Sequence, residues 1–286
     1  MVHLPDWRTA ASELLSRGPS RVMGILNVTP DSFSDGGDWF GAQAAVDHGL
    51  AMALSGADII DVGGESTRPG AQRVSEDEEL GRVLPVVRAL ADRGVAVSID
   101  TMRASVAGAC VAAGAVIVND VSGGLADADM FATVASLGVP YVLSHWRAHS
   151  TDMDDHDRYD DVVVQVRAEL ARRAEEFIAA GGNPGQLVLD PGLGFAKATD
   201  SNWPLLARLD ELESLGFPIL IGASRKRFLA AALSTERAPA QRDTATAVVT
   251  AIVAQRPVWA VRVHDVAGSI DAISVVTALQ KAGMTP

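Results

Sequence analysis

The chain has 286 residues, with 36 acidic against 24 basic side chains and a formal net charge of −12. That balance excludes the basic surface that non-specific nucleic-acid binding needs, and the single cysteine, Cys110, excludes an internal disulfide or a multi-cysteine metal site. Neither a secretory apolar segment between Met1 and Ser20 nor an uncharged apolar run of about twenty residues is present, so a soluble cytoplasmic protein is expected.

In chain order, short apolar runs read as strands at Val22–Leu26, Ile59–Val62, Val95–Ile99, Val116–Val118, Tyr141–Leu143, Leu187–Leu189, Ile219–Ile221 and Trp259–Val263. Between them lie helical patterns at Gln43–Ser55, Asp77–Arg93, Ala104–Ala113, Ala128–Leu137, Asp161–Ala180 and Trp203–Leu215, then Lys226–Leu233 with Arg242–Gln255, and finally Ser269–Ala282. Glycines 56, 94, 114, 138 and 216 stand where helix C-caps lead into the next strand. Unbroken alternation of strand and helix predicts a parallel sheet, and eight units close into one (β/α)8 TIM barrel. An open doubly wound sheet would need a Gly-rich phosphate turn after the first strand, and Asn27-Val28-Thr29-Pro30 is not one. The expected organisation is an N-terminal extension over residues 1–20 and a barrel domain over residues 21–286.

A polar residue stands where each strand stops: Asn27, Asp61, Asp100, Asn119, His145, Asp190, the run Ser224-Arg225-Lys226, and His264. A barrel enzyme builds its active site at these C-terminal ends. Asp100, Asn119 and Asp190 form a set suited to a flat ligand with a row of N–H donors, such as an aminopyrimidinone, because buried carboxylates need fixed donors. Helix caps or loop ties are the plainer reading of each.

Ser224-Arg225-Lys226-Arg227 opens a helix and offers cations to an anion or a ring carbonyl. The Gly-bracketed Gly63-Gly64-Glu65-Ser66-Thr67-Arg68-Pro69-Gly70 is a loop whose Arg68 is placed to close over a phosphate. Arg262 and His264 alternate onto one side of the last strand, where both can point at one ligand, with a salt bridge to Asp265 or to a neighbouring loop as the alternative. His145, His149 and His156 among nearby aspartates are spaced too irregularly to read as a metal cluster. No Ser–His or Cys–His pair for a covalent intermediate is evident in the sequence.

Four long motifs, in order, carry a family resemblance: Leu26–Gly37 (LNVTPDSFSDGG), Asp61–Gly70 (DVGGESTRPG), Asp190–Phe195 (DPGLGF) and Ser224–Phe228 (SRKRF). They closely resemble the dihydropteroate synthases of folate biosynthesis, over about Arg21 to Lys281, and His145-Trp146-Arg147 looks like the actinobacterial branch. The resemblance implies a barrel that joins 6-hydroxymethyl-7,8-dihydropterin diphosphate to 4-aminobenzoate, giving 7,8-dihydropteroate and pyrophosphate. Asp100, Asn119 and Asp190 then match the pterin-edge residues, Lys226 the cation at the ring, and Arg262 the guanidinium stacked on it. Asn27, Thr67, Arg68, Arg262 and His264 match the diphosphate site, with Asn27 the Mg²⁺ ligand. Phe33, Pro69, Phe195 and Arg227 would wall the aminobenzoate pocket. Asp35, Arg68 and Lys226 are the implied catalytic residues, and the family implies a homodimer.

Ser144 departs from the family, many of whose members carry Met in that part of the pterin pocket. A methyltetrahydrofolate-dependent corrinoid methyltransferase would share the Asp–Asn–Asp set but has no use for diphosphate-binding cations. A pterin-binding paralogue without turnover would not need Arg68 or an intact first loop.

Overall fold

The computed structural model describes residues 14–16, 18–29, 37–65, 73–147 and 157–283, with residues 37–40 described by backbone alone. Eight parallel strands form a single sheet: β1 (Arg21–Asn27), β2 (Ile59–Gly63), β3 (Val97–Asp100), β4 (Ile117–Asp120), β5 (Tyr141–Ser144), β6 (Leu187–Asp190), β7 (Leu220–Ile221) and β8 (Ala260–Val263). Their order is β6-β5-β4-β3-β2-β1-β8-β7, and a parallel bridge between Leu189 and Ile219 joins the two ends into a barrel.

The helices that cover it are α1 (Gly37–Leu54), α2 (Glu76–Ala91), α3 (Ala104–Ala112), α4 (Met130–Leu137), α5 (Val162–Ala179), α6 (Thr199–Ala207), α7 (Leu209–Glu213), α8 (Arg227–Ala231), α9 (Asp243–Val253) and α10 (Val266–Lys281). The expected single helix over Trp203–Leu215 is divided at Arg208, whose backbone leaves the helical region (φ −116°, ψ 44°). There the guanidinium turns to Asp161, the N-cap of α5, at 2.9 Å. The five expected capping glycines all have positive φ, between 69° and 118°, which a side chain would strain.

Two apolar layers follow from the period-two alternation of strands. Outward residues such as Leu26, Ile60, Val62 and Ile99 meet helix residues such as Val83, Val86, Val87 and Leu90 of α2 in the main core. Inward residues at the strand starts form a second cluster that includes Met23, Ile59, Ala96, Ile117, Val142, Val188, Leu220 and Ala260. Leu14 joins that cluster from below, and its carbonyl accepts a 2.6 Å hydrogen bond from the Trp259 indole. Apolar filling at this end leaves the opposite, C-terminal mouth as the place where inward positions turn polar.

Stepping by two along each strand gives the lining of that mouth. Met23 leads through Ile25 to Asn27, Ile59 to Asp61, Ala96 through Ser98 to Asp100, and Ile117 to Asn119. Val142 leads to Ser144, Val188 to Asp190, Leu220 through Gly222 to Ser224, and Ala260 through Arg262 to His264.

Candidate active site

Pairing between strands places Asn27, Gly63, Asp100 and Asn119 side by side along one register line, with Ser144 beside Asp190 further round. At their centre is the Arg262 guanidinium, whose Nε donates to Asp61 Oδ2 and whose terminal nitrogen donates to Asp100 Oδ2, both at 2.6 Å. Asn119 Nδ2 donates to the same Asp61 oxygen at 3.0 Å, which leaves the Asn119 carbonyl oxygen to accept from a ligand. Arg262 is therefore paired with Asp61 and Asp100, and Asp265 instead caps α10 through the Gly268 amide.

Asp61 is fully buried, and its Oδ1 has no hydrogen-bond partner among the described residues. Ser98 Oγ, on the register-paired position of β3, is likewise unpartnered among them. Two unmet polar atoms side by side on the inner wall mark a surface made for polar groups rather than for core.

On the far side, Asp190 Oδ1 accepts the Gly192 amide at 2.8 Å. A Cβ at Gly222 would lie 3.6 Å from Asp190 Oδ2 and 3.9 Å from Lys226 Nζ, so the missing side chain keeps the space between them open. Lys226 donates to the Leu193 carbonyl and sits 4.4 Å above the Phe195 ring.

Burial pushes the Asp100 carboxyl above its ordinary range, against the pull of Arg262, and pushes Asp190 up against the pull of Lys226. Burial also lowers the Lys226 ammonium to about 8, opposed by Asp190. A ligand that uses the Lys226 charge should then bind with constant affinity below that pH and progressively more weakly above it. Calorimetry of a pterin analogue across pH 6–10 checks this, and a Lys226→Met variant should lose the alkaline break. A break that persists in the variant would assign it to another group.

His264 and Ser224 form a pair that the sequence did not disclose, since 40 residues separate them: Ser224 Oγ lies 2.9 Å from His264 Nδ1 and accepts the His264 backbone N–H at 3.1 Å. The serine is buried, and its contacts with Nδ1 and with the backbone N–H of His264 fix the orientation of the ring. This Ser–His contact corrects the sequence-based expectation that no such pair exists, but its geometry orients the imidazole.

The basic run 225–227 does not act as one cluster. Arg225, at φ 59°, turns away to make a two-pronged ion pair with Asp243 at 2.7 Å, and Arg227 is exposed at the start of the five-residue α8. Lys226 projects among the strand-end residues, beside Asp190 and Phe195.

A second buried network was missed by sequence reasoning. Lys197 Nζ donates to the carbonyls of Gly192 and Phe195, both at 3.0 Å, and meets His145 Nδ1 at 2.9 Å. His145 Nε2 in turn lies 2.9 Å from Glu169 on α5, which Arg147 also holds. Burial together with the Lys197 charge lowers the His145 pKa to about 4, so the ring is neutral and accepts at Nδ1. Burial alone would raise the Glu169 carboxyl, yet the hydrogen bonds from His145 and Arg147 hold it down at about 2. Phe33, Asp35, Thr67, Arg68 and Pro69, and likewise His149 and His156, lie outside the described residues.

A parallel barrel with facing carboxylates, an amide and two half-buried cations at its C-terminal mouth has the lining expected of an enzyme site for a polar ligand. The sequence matches the family model of pterin binding enzymes over residues 23–264. It is 54% identical over 274 residues to the dihydropteroate synthase of Mycobacterium leprae, covering 94% of this chain and 96% of that one. Among solved structures it resembles Xanthomonas albilineans dihydropteroate synthase with 4-aminobenzoic acid (TM-score 0.86, 44% identity, 92% and 93% of the two chains). The same enzyme in complex with 7,8-dihydropteroate gives a TM-score of 0.84 at 42% identity, over 93% and 95% of the chains. The chain belongs to the dihydropteroate synthase family of pterin-binding enzymes.

Proposed function

We propose that this chain condenses 6-hydroxymethyl-7,8-dihydropterin diphosphate with 4-aminobenzoate, releasing pyrophosphate, and that the strand-end residues divide the work. The observation that carries this reading is the Arg262–Asp61–Asp100 cluster facing Asp190 and Lys226 across the barrel mouth. Asp100, Asn119 and Asp190 accept and donate along the pterin edge, while Lys226 meets the ring and the Arg262 plane lies against it. His264, oriented by Ser224, meets the diphosphate through its imidazole.

The bond that breaks joins the pterin methylene to the diphosphate oxygen; the bond that forms joins the methylene to the aryl amine, which then gives up a proton. An aryl amine is a weak nucleophile, so the residues act chiefly on the leaving group. Arg68, Arg262 and His264 neutralise charge as it gathers on the departing diphosphate, and Asp35, by the resemblance, stabilises the positive charge that develops on the methylene. Thr67 joins the diphosphate contacts, and Phe33, Pro69, Phe195 and Arg227 wall the aminobenzoate. These roles follow the resemblance residue by residue.

Asn27 suits Mg²⁺. Its carboxamide ends β1 half-buried, makes no hydrogen bond to a described residue, and offers one hard oxygen, as befits an ion that takes few protein ligands beside phosphate. When bound, the ion supplies further charge neutralisation at the diphosphate.

A homodimer is supported by an exposed apolar patch. Val248 and Ile252 on α9 are each 55% exposed, and Val275 and Leu279 on the neighbouring α10 are 61% and 45% exposed. Sedimentation of the wild type and of Val275→Glu tests that face. Residues 1–20 are assigned as an extension and 21–286 as the barrel. No helix among the described residues is long and apolar enough to cross a membrane, in keeping with a cytoplasmic assignment.

Pyrophosphate release measured with and without 4-aminobenzoate is the decisive experiment. Release that depends on the amine supports this reading, and amine-independent release or none overturns it.

A further inference from the structure

We infer that Lys197 is a positioning residue for the aminobenzoate wall: its buried ammonium fixes the backbone of residues 192–195 and thereby the Phe195 ring. The inference rests on the reading of Phe195 given above. Lys197 is 6% exposed, and no carboxylate among the described residues contacts it. An ammonium has three N–H bonds, and three acceptors meet them: Gly192 O, Phe195 O and His145 Nδ1. A buried lysine without an ion-pair partner is costly, and burial lowers its pKa to about 7 despite the nearby Asp190. A residue serving only to fill the core would do so better as Leu or Met.

The segment it holds needs holding. Gly192, Gly194 and Ala196 all have positive φ, at 65°, 74° and 45°, and for alanine that conformation is strained. A Cβ at Gly192 would come within 2.2 Å of the His145 carbonyl oxygen, so the loop is pressed against β5. Further ties come from Asn202 to the Gly194 amide at 2.7 Å and from the Tyr159 hydroxyl to the Ala196 carbonyl at 2.9 Å. Phe195 itself is held twice, its amide donating to the Gly192 carbonyl at 3.0 Å and its own carbonyl accepting from Lys197, and Lys226 lies over the ring that results. The chain Glu169–His145–Lys197–Phe195 thus connects α5 to the wall of the site.

The experiment is a double-mutant cycle on steady-state kinetics with both substrates varied, using Phe195→Ala, Lys197→Met and their combination. Phe195→Ala should raise the aminobenzoate KM at least tenfold; if it does not, the reading of Phe195 fails, and this inference with it. Given that rise, Lys197→Met should raise the same KM by a similar factor and move the KM for the pterin diphosphate less than threefold. The double variant should resemble Phe195→Ala alone, because Lys197 acts through that ring. Multiplying effects, or an unchanged aminobenzoate KM in folded Lys197→Met, would overturn the inference while leaving the reading of Phe195 intact. Lys197→Gln, which keeps two N–H donors, should fall between wild type and Lys197→Met. If neither lysine variant folds, Lys197 serves the fold rather than the wall, and the inference also falls.

Discussion

Replacing Arg262 with Met should cost about 3–5 kcal/mol of stability at neutral pH, the usual consequence of removing one partner from a buried ion pair. Both carboxylates lose their cation at once, since Arg262 bonds Asp61 and Asp100 at 2.6 Å. Asp61 retains only Asn119 on Oδ2 and nothing among the described residues on Oδ1.

The effect has a sign in pH. Burial already raises the Asp100 pKa against the pull of Arg262, so without the guanidinium it rises further. An acid whose pKa is higher in the folded than in the unfolded state destabilises the fold above its unfolded value, and that penalty fades as pH falls through the folded value. Urea unfolding should therefore show a larger gap between variant and wild type at pH 8 than at pH 5. A gap under about 1 kcal/mol at pH 8 would mean that the cluster does not organise the barrel mouth. Arg262→Lys keeps the charge but cannot reach two carboxylates with a planar fork, and should recover only part of the loss.

The strand-end residues were legible in the sequence because a strand offers a choice of two faces. Once Met23 or Ile59 is inward, Asn27 and Asp61 must be inward too, and an inward polar residue beyond an apolar layer lies at the mouth. The capping glycines were legible for a similarly local reason, since left-handed backbone at a helix end favours glycine. What could not be read depends on partners distant in the chain. The Asp61–Arg262 pair spans 201 residues, and Lys197 meets His145 across 52. Nothing in Gly194-Phe195-Ala196-Lys197 marks the lysine for burial, which comes from contacts with His145 and the carbonyls of Gly192 and Phe195. The basic run misled for a local reason that sequence hides: the positive φ of Arg225 sends its side chain to Asp243 while Lys226 enters the site.

Asp190→Asn should weaken pterin diphosphate binding sharply and leave the fold intact. The asparagine carbonyl oxygen can still accept the Gly192 amide, so the turn that Asp190 Oδ1 holds at 2.8 Å survives. What is lost is the negative charge and one acceptor facing Gly222, where the pterin edge is proposed to lie. A charge-assisted hydrogen bond is worth about 1.5–3 kcal/mol, so losing the one at Oδ2 corresponds to roughly tenfold to a hundredfold in affinity. Lys226 loses its facing charge as well, and its already lowered pKa should fall further, weakening the second contact to the ring. Asp190→Ala should add a different defect. Without the Gly192 tie, the segment gripped by Lys197 loosens and the aminobenzoate KM rises too. Calorimetry of the pterin diphosphate and steady-state kinetics on both variants separate the two effects. Near-wild-type pterin affinity in folded Asp190→Asn would remove Asp190 from the pterin edge. An aminobenzoate KM raised equally in both variants would show that the charge, rather than the Gly192 bond, governs the wall.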